Sequence, residues 1–222
     1  MSNVKLGGLF FPKEADGEEI KFDSLYIPYI YREIYFEGIY VDILNGRTDM
    51  VVMDVGSNIG VTVQHFRNYA KKVYAIEPLS AHYEALSKNK EFNGWDNVET
   101  FKMAIAGKDG EVTMHPLKNN MTCTSYVNDY GQGGEKVEAQ TFETFFKNNA
   151  IDQVDFVKFD VEGAEEDILF SDGFKNVAHK IKAIMIEFHH PDWMKIVEYM
   201  SSLGFEARRY QSSAIVVMFI RK

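Results

Sequence analysis

The sequence predicts an α/β domain, with a mostly parallel sheet, helices on both of its faces and an antiparallel hairpin at the carboxyl end. Three observations lead there. Short apolar runs alternate with longer segments of helical spacing, the order in which parallel strands are joined by right-handed crossovers. The stretch Val51-Val52-Met53-Asp54-Val55 is almost continuously apolar before a glycine turn, as a strand buried on both faces must be. The last two strand-like runs are separated only by Gln211-Ser212-Ser213, too few residues for a crossover helix, so they must pair antiparallel.

The elements follow in order. Strands are expected at residues 50–54, 72–77, 98–104, 154–161 and 182–188, and helices at 60–70, 80–92, 141–149 and 165–170. Residues 107–139 are polar and rich in glycine; a hairpin is expected around 111–117 and a mobile loop near 128–135. The tail pairs residues 205–210 with 214–221. Residues 1–49 differ in character, with Tyr26, Tyr29, Tyr31, Tyr35, Phe36 and Tyr40 crowded into one segment. Tyrosine has an apolar body and a polar tip, so this accessory segment suits either a lid over a partly wet pocket or an aromatic face packed on the sheet. The main domain is expected to span residues 50–222.

A chain of 222 residues with 45% hydrophobic residues can bury one sizeable core. Its net charge of -9 argues against a broad nucleic-acid surface. No run approaches the roughly 18 apolar residues of a membrane span, and the amino terminus lacks a signal-peptide pattern. A cytoplasmic location is expected. Cys123 has no cysteine partner for a disulfide or a metal knuckle and reads as a small packing or surface residue.

The chemistry is expected beyond the first strand, because open α/β sheets bind ligands past the carboxyl ends of their strands. Gly56-Ser57-Asn58-Ile59-Gly60 places glycine and asparagine, the residues most tolerant of positive φ, where backbone can approach a ligand. The following helix terminus would favour a carboxylate or phosphate. Glu77, followed by Pro78, lies about 20 residues on, where an acid can bind ribose hydroxyls. Val61 occupies the place of the third glycine in the dinucleotide fingerprint, which disfavours a nicotinamide-dependent oxidoreductase. A nucleoside with an amino-acid end fits better, with Asp54 orienting its ammonium group. S-adenosylmethionine matches that description.

The residues Asp54-Val55-Gly56-Ser57-Asn58-Ile59-Gly60, Ala75-Ile76-Glu77-Pro78, Phe156-Val157-Lys158-Phe159-Asp160-Val161-Glu162-Gly163-Ala164-Glu165 and Ile186-Glu187-Phe188-His189 resemble the FkbM family of methyltransferases. The resemblance spans residues 51–189. It implies a Rossmann-like class I methyltransferase fold with a seven-stranded sheet. It also implies S-adenosylmethionine as cofactor and O-methyl transfer to a hydroxyl of a small sugar, glycolipid or polyketide-like acceptor. The cofactor-binding residues are then Asp54, Gly56, Ser57, Asn58, Gly60, Glu77, Pro78 and Asp160, with adenine held by backbone and apolar packing around Met103 and Ala104. A non-catalytic S-adenosylmethionine-binding module is the alternative from another functional class.

Alternation along residues 156–162 puts Lys158, Asp160 and Glu162 on one face if the strand persists that far. A buried lysine needs a carboxylate, and Asp54, Asp160 and Glu187 are the candidates. Such a network could also serve only to brace the strand ends. Glu165 and Glu166 suit the first turn of the next helix. Glu187 and His189 share a face, whereas His190 should point elsewhere. For the proton of an acceptor hydroxyl, His189 is the first candidate base, since an unperturbed histidine titrates near ~6.5; Glu162 and Glu187 are the others. A metal on Asp160, Glu187 and His189 is the rival use, but the set lacks a compact ligand motif, so no metal is expected.

Overall fold

The computed structural model describes residues 32–117, 120–125, 127, 133–189, 192–211 and 215–222. Tyr26, Tyr29, Tyr31, His190 and residues 128–132 of the expected loop lie outside them, as do the side chains of Tyr35, Phe36 and Cys123.

The chain begins with a π-helical turn, Arg32–Glu37, and a short helix α1, Val41–Leu44. Strand β1, Met50–Val55, leads through the glycine turn to α2, Val61–Phe66, then β2, Ala70–Ile76, α3, Ser80–Asn93, and β3, Val98–Phe101. A small excursion follows: β4 Ala104–Ile105, β5 Gly110–Leu117, β6 Asn120–Ser125 and β7 Glu135–Gln140. The main sheet resumes after α4, Phe142–Asn148, with β8, Phe156–Phe159, the short helices α5 Glu165–Leu169 and α6 Asp172–Lys175, and β9 Ala183–Phe188. Helix α7, Trp193–Ser202, and the hairpin β10 Phe205–Gln211 and β11 Ile215–Arg221 complete it.

The seven strands lie in the order β10-β11-β9-β8-β1-β2-β3. All neighbours pair in parallel except β11, which runs antiparallel to both β9 and β10. This is the doubly wound sheet expected, and the chain reverses direction across it between β1 and β8. That switch point is where such sheets open a crevice.

Period-two alternation sorts the side chains into two cores. Met53, Val55, Val157, Phe159, Ile184 and Ile186 join a cluster with α4 and α7 on one face. Met50, Val52, Phe156, Ala183 and Met185 join a cluster with α2 and α3 on the other, together with Ile34, Tyr40 and Leu44 from the amino-terminal segment. By the same alternation Asp54, Lys158 and Glu187 belong to this second face, and Asp54 pairs in register with Lys158. Three ionisable groups thus sit at the carboxyl ends of three adjacent strands, just beyond the apolar packing.

Several elements differ from expectation. The expected helix over residues 60–70 stops at Phe66, because Tyr69 donates its N–H back to Phe66 and the Asn97 side chain donates to the carbonyls of Arg67 and Ala70. The expected strand over residues 98–104 divides at Lys102-Met103. Ala104 and Ile105 leave the main sheet to pair with β7 in a second sheet of order β4-β7-β5-β6, so the single hairpin expected around residues 111–117 is part of a four-stranded unit. Of the loop expected near residues 128–135, Gly133 and Gly134 carry no regular structure, and Glu135 already opens β7. The expected strand over residues 154–161 is paired fully only at 156–159, with Val154 making an isolated bridge to Ile181. Helix α7 was not anticipated. Among the described residues, no helix is long and apolar enough to cross a membrane.

Candidate active site

A pocket opens at the switch point, lined by the turn after β1, the ends of β2 and β8, and the amino-terminal segment. Positive φ is concentrated where the turn needs it, at 81° for Gly56, 51° for Asn58 and 93° for Gly60. Gly56 has a steric reason as well. A Cβ there would stand 2.0 Å from the carbonyl oxygen of Asp160, so the two strand-end turns touch backbone to backbone. Gly60 has a different role from the one expected, for it does not line the pocket. A Cβ on it would meet Leu86 Cδ1 at 2.8 Å and the Trp95 ring at 3.1 Å, which makes its contribution a close packing of turn on helix.

Gly56, Ser57, Asn58, Glu77, Pro78, Met103, Ala104 and Asp160, the residues expected around a cofactor, all line this one pocket. Glu77 is 4% exposed. One of its carboxylate oxygens accepts the N–H of Asn58 at 2.9 Å and the other that of Leu79 at 3.0 Å. A carboxylate offers about four lone-pair sites, so the group that fixes both turns keeps capacity for hydroxyls. The apolar flank is formed by Ile76, Met103, Ala104 and Ile105. A ribose against Glu77, beside an apolar slot for a base, fits a nucleoside cofactor. Two further contributors, Thr62 and His82, stand outside the sequence motifs. His82 is buried, with Nδ1 3.5 Å from Glu77. Its position in the first turn of α3, which starts at the same sheet edge, was the available signal.

Asp54 lies behind the lining and is fully buried. Thr62 donates its hydroxyl to Oδ2 at 2.5 Å, while Oδ1 has no hydrogen-bond partner among the described residues and stands 3.8 Å from Lys158 Nζ. Burial pushes its pKa up to about 6 although Lys158 and Thr62 pull the other way. Lys158 finds the partners expected, with Nζ 3.1 Å from Asp160 Oδ2 as well. Burial works against its charge, but Asp160 and Asp54 outweigh it and hold the ammonium well above its ordinary pKa.

Beyond Asp160 the chain leaves strand geometry, with φ of 53° at Glu162 and 101° at Gly163. A turn therefore groups the acidic side chains, and the continued alternation expected is absent. Asp160, Glu162 and Glu187 line the far part of the pocket, with Glu33 from the π-helical turn. His189 stands beside this wall. Its Nε2 lies 3.4 Å from Glu162 Oε2 and 3.9 Å from both Asp160 Oδ1 and Glu187 Oε1, while Nδ1 lies 2.9 Å from Glu165 Oε1. Burial lowers the pKa of the ring, but the Glu165 hydrogen bond and the charges of Asp160 and Glu162 raise it to about 9. The expectation of an imidazole titrating near ~6.5 gives way to a ring whose charge is held by Glu165, Asp160 and Glu162. Burial and the Asp160 charge likewise lift Glu187 to about 7. Donor atoms of Asp160, Glu162 and His189 lie within 4.8 Å of one another, a spacing that a cation could bridge; the imidazolium itself already brings positive charge there.

The amino-terminal segment both packs and lines. Tyr40 stacks edge-on against Phe66 and Phe156, while Glu33, Ile34, Ile39 and Tyr40 form one side of the pocket. Burial raises the Tyr40 hydroxyl far above its ordinary pKa.

Comparison with known proteins agrees with this geometry. The methyltransferase FkbM domain model matches residues 54–207. Methyltransferase sdnD of Sordaria araneosa is 26% identical, over 82% of this chain and 83% of that one. The 2-O-methyltransferase NoeI of Sinorhizobium fredii is 23% identical, over 64% of each chain. A crystal structure of methyltransferase FkbM from Methylobacillus flagellatus superposes with a TM-score of 0.57 at 15% identity, over 86% of this chain and 47% of that one. This chain thus spans less than two thirds of the length of the latter two. With a family match covering well over half of its residues, the chain belongs to the FkbM methyltransferase domain family.

Proposed function

We propose that the protein transfers a methyl group from S-adenosylmethionine to a hydroxyl oxygen of a small uncharged acceptor, a sugar or similar polyol. The observation that carries this reading is the wall of Asp160, Glu162 and Glu187 beyond the cofactor turn, with His189 behind it. Ionised carboxylates are acceptors only, and several in one wall suit a ligand that presents several hydroxyl donors. The same charges repel a phosphate or carboxylate on the acceptor. The name of the relative NoeI, a 2-O-methyltransferase, supports oxygen as the methylated atom.

When bound, the cofactor supplies a methyl group already activated on a sulfonium. The chain then has two tasks. It must align acceptor oxygen and methyl carbon, an effect that lowers a barrier by roughly 7–11 kcal/mol at best. The backbone contact of Gly56 with Asp160 fixes the crevice that does this. It must also receive the hydroxyl proton, for which His189 is the leading candidate and Glu162 and Glu187 the alternatives.

Labelled-methyl transfer tests the reading directly. The protein is incubated with methyl-labelled S-adenosylmethionine and a panel of neutral sugars, glycolipid headgroups, polyketide alcohols, sugar phosphates and uronic acids. Label should enter a neutral hydroxyl compound and spare its phosphorylated or carboxylated counterpart. A preference for anionic acceptors would contradict the proposal. Cofactor binding with no transfer to any member would favour the non-catalytic binding module.

A further inference from the structure

Glu165 is where a helix would be expected to show a solvated charge, in the first turn of α5, yet its side chain is fully buried. Burying a carboxylate is costly unless hydrogen bonds replace its water. Oε1 accepts the N–H of Gly163 at 3.1 Å and faces Nδ1 of His189 at 2.9 Å, while Oε2 has no hydrogen-bond partner among the described residues. The carboxylate is therefore committed to the ring, and the ring to it. With Nδ1 engaged, Nε2 is the only ring nitrogen turned towards Glu162, Asp160 and Glu187.

We propose that Glu165 is a positioning residue of the acceptor site: it keeps the proton of the neutral imidazole on Nδ1 and so presents the lone pair of Nε2 to the acceptor hydroxyl. The proposal rests on the methyl transfer described above. In that step the acceptor oxygen bonds to the methyl carbon, and the carbon–sulfur bond breaks with its electron pair left on sulfur. The hydroxyl proton passes to Nε2. Carboxylates that fix a histidine tautomer through the distal nitrogen are a recurring device wherever the near nitrogen must act. The groups facing the ring are Glu165 on Nδ1 and Glu162, Asp160 and Glu187 on Nε2, with Lys158 one step removed on Asp160. The raised pKa of His189 agrees with this crowding.

The test needs no knowledge of the acceptor. Long-range proton–nitrogen spectra of the full chain labelled at histidine nitrogen report the tautomer and titration of His189. They are recorded for the wild type, Glu165→Gln and Glu165→Leu, beside thermal unfolding and S-adenosylhomocysteine calorimetry. The wild-type neutral ring should carry its proton on Nδ1. Glu165→Gln should keep that tautomer, because its amide oxygen still accepts, while the proton affinity of the ring falls about tenfold, one unit of pKa. Glu165→Leu should move the proton to Nε2. If the leucine variant does not fold, the near-isosteric glutamine variant still decides the matter.

An unchanged titration in Glu165→Gln, with only stability lowered, would reduce Glu165 to a structural role and overturn the proposal. So would selective broadening of the wild-type His189 signals by stoichiometric Mn²⁺, which would make Nε2 a metal ligand. Failure of the wild type to bind S-adenosylhomocysteine, with the tautomer pattern as expected, would count against the proposed methyl transfer and leave the Glu165 to His189 pairing intact.

Discussion

Replacing Lys158 with methionine is expected to cost the fold about 3–5 kcal/mol, the scale on which removing one member of a buried ion pair leaves the other uncompensated. The lysine side chain is 12% exposed, and its ammonium lies 3.8 Å from Asp54 Oδ1 and 3.1 Å from Asp160 Oδ2. Methionine conserves most of the volume, so the loss is chiefly electrostatic. Among the described residues, Asp54 would keep the Thr62 hydroxyl alone. Its pKa already stands at about 6 with the lysine in place, and without it would climb further until the group is neutral near pH 7. Urea unfolding of the variant should show a lower midpoint with an unchanged slope. Asp54→Asn in the same background should recover part of the loss, since an amide is neutral in the unfolded chain as well and its burial requires no proton uptake. Equal stability of Lys158→Met and wild type would mean that the network contributes nothing net to folding.

His189→Ala is expected to lower turnover by about 10²–10⁴-fold, the usual range for loss of a general base, with cofactor affinity nearly unchanged because the ring does not line the cofactor turn. The pH profile gives the sharper check. A base must be unprotonated, and His189 is held protonated up to about 9. On a logarithmic scale kcat/KM should therefore rise through neutral pH and level off only near 9. A plateau beginning near pH 7 would instead identify Glu187, whose carboxyl titrates at about 7. Retained activity in the alanine variant would remove His189 from catalysis and leave Glu162 and Glu187. A chelator should leave the wild-type rate unchanged.

The parts of this architecture written in local pattern were legible in advance. The apolar run at β1, the positive-φ residues of its turn and the three-residue gap before β11 each obey a rule that acts within a few positions. What escaped notice depends on contacts distant in sequence. Asn97 ends α2 early by reaching Arg67 and Ala70, and β7 draws Ala104 and Ile105 out of the main sheet.

The site divides along the same line. Gly56, Asn58 and Glu77 could be placed at the pocket from spacing, whereas Gly60, which packs on Leu86 and Trp95 instead, could not be separated from them. The pairing of Glu165 with His189 joins residues 24 positions apart. A glutamate early in a helix is normally a solvated charge that favours the helix dipole, and only the turn at Glu162 and Gly163 brings this one inward. The ring's elevated pKa follows from that pairing and could not be foreseen without it.

Titration calorimetry with S-adenosylhomocysteine bears most directly on the central claim, that the pocket between β1 and β8 is built for a nucleoside whose ribose rests on Glu77. The wild type should bind S-adenosylhomocysteine in preference to NAD, and Glu77→Ala should weaken that binding by about 1–3 kcal/mol, the scale of lost charge-assisted hydrogen bonds. A preference for NAD, or an affinity that Glu77→Ala leaves unchanged, would contradict it.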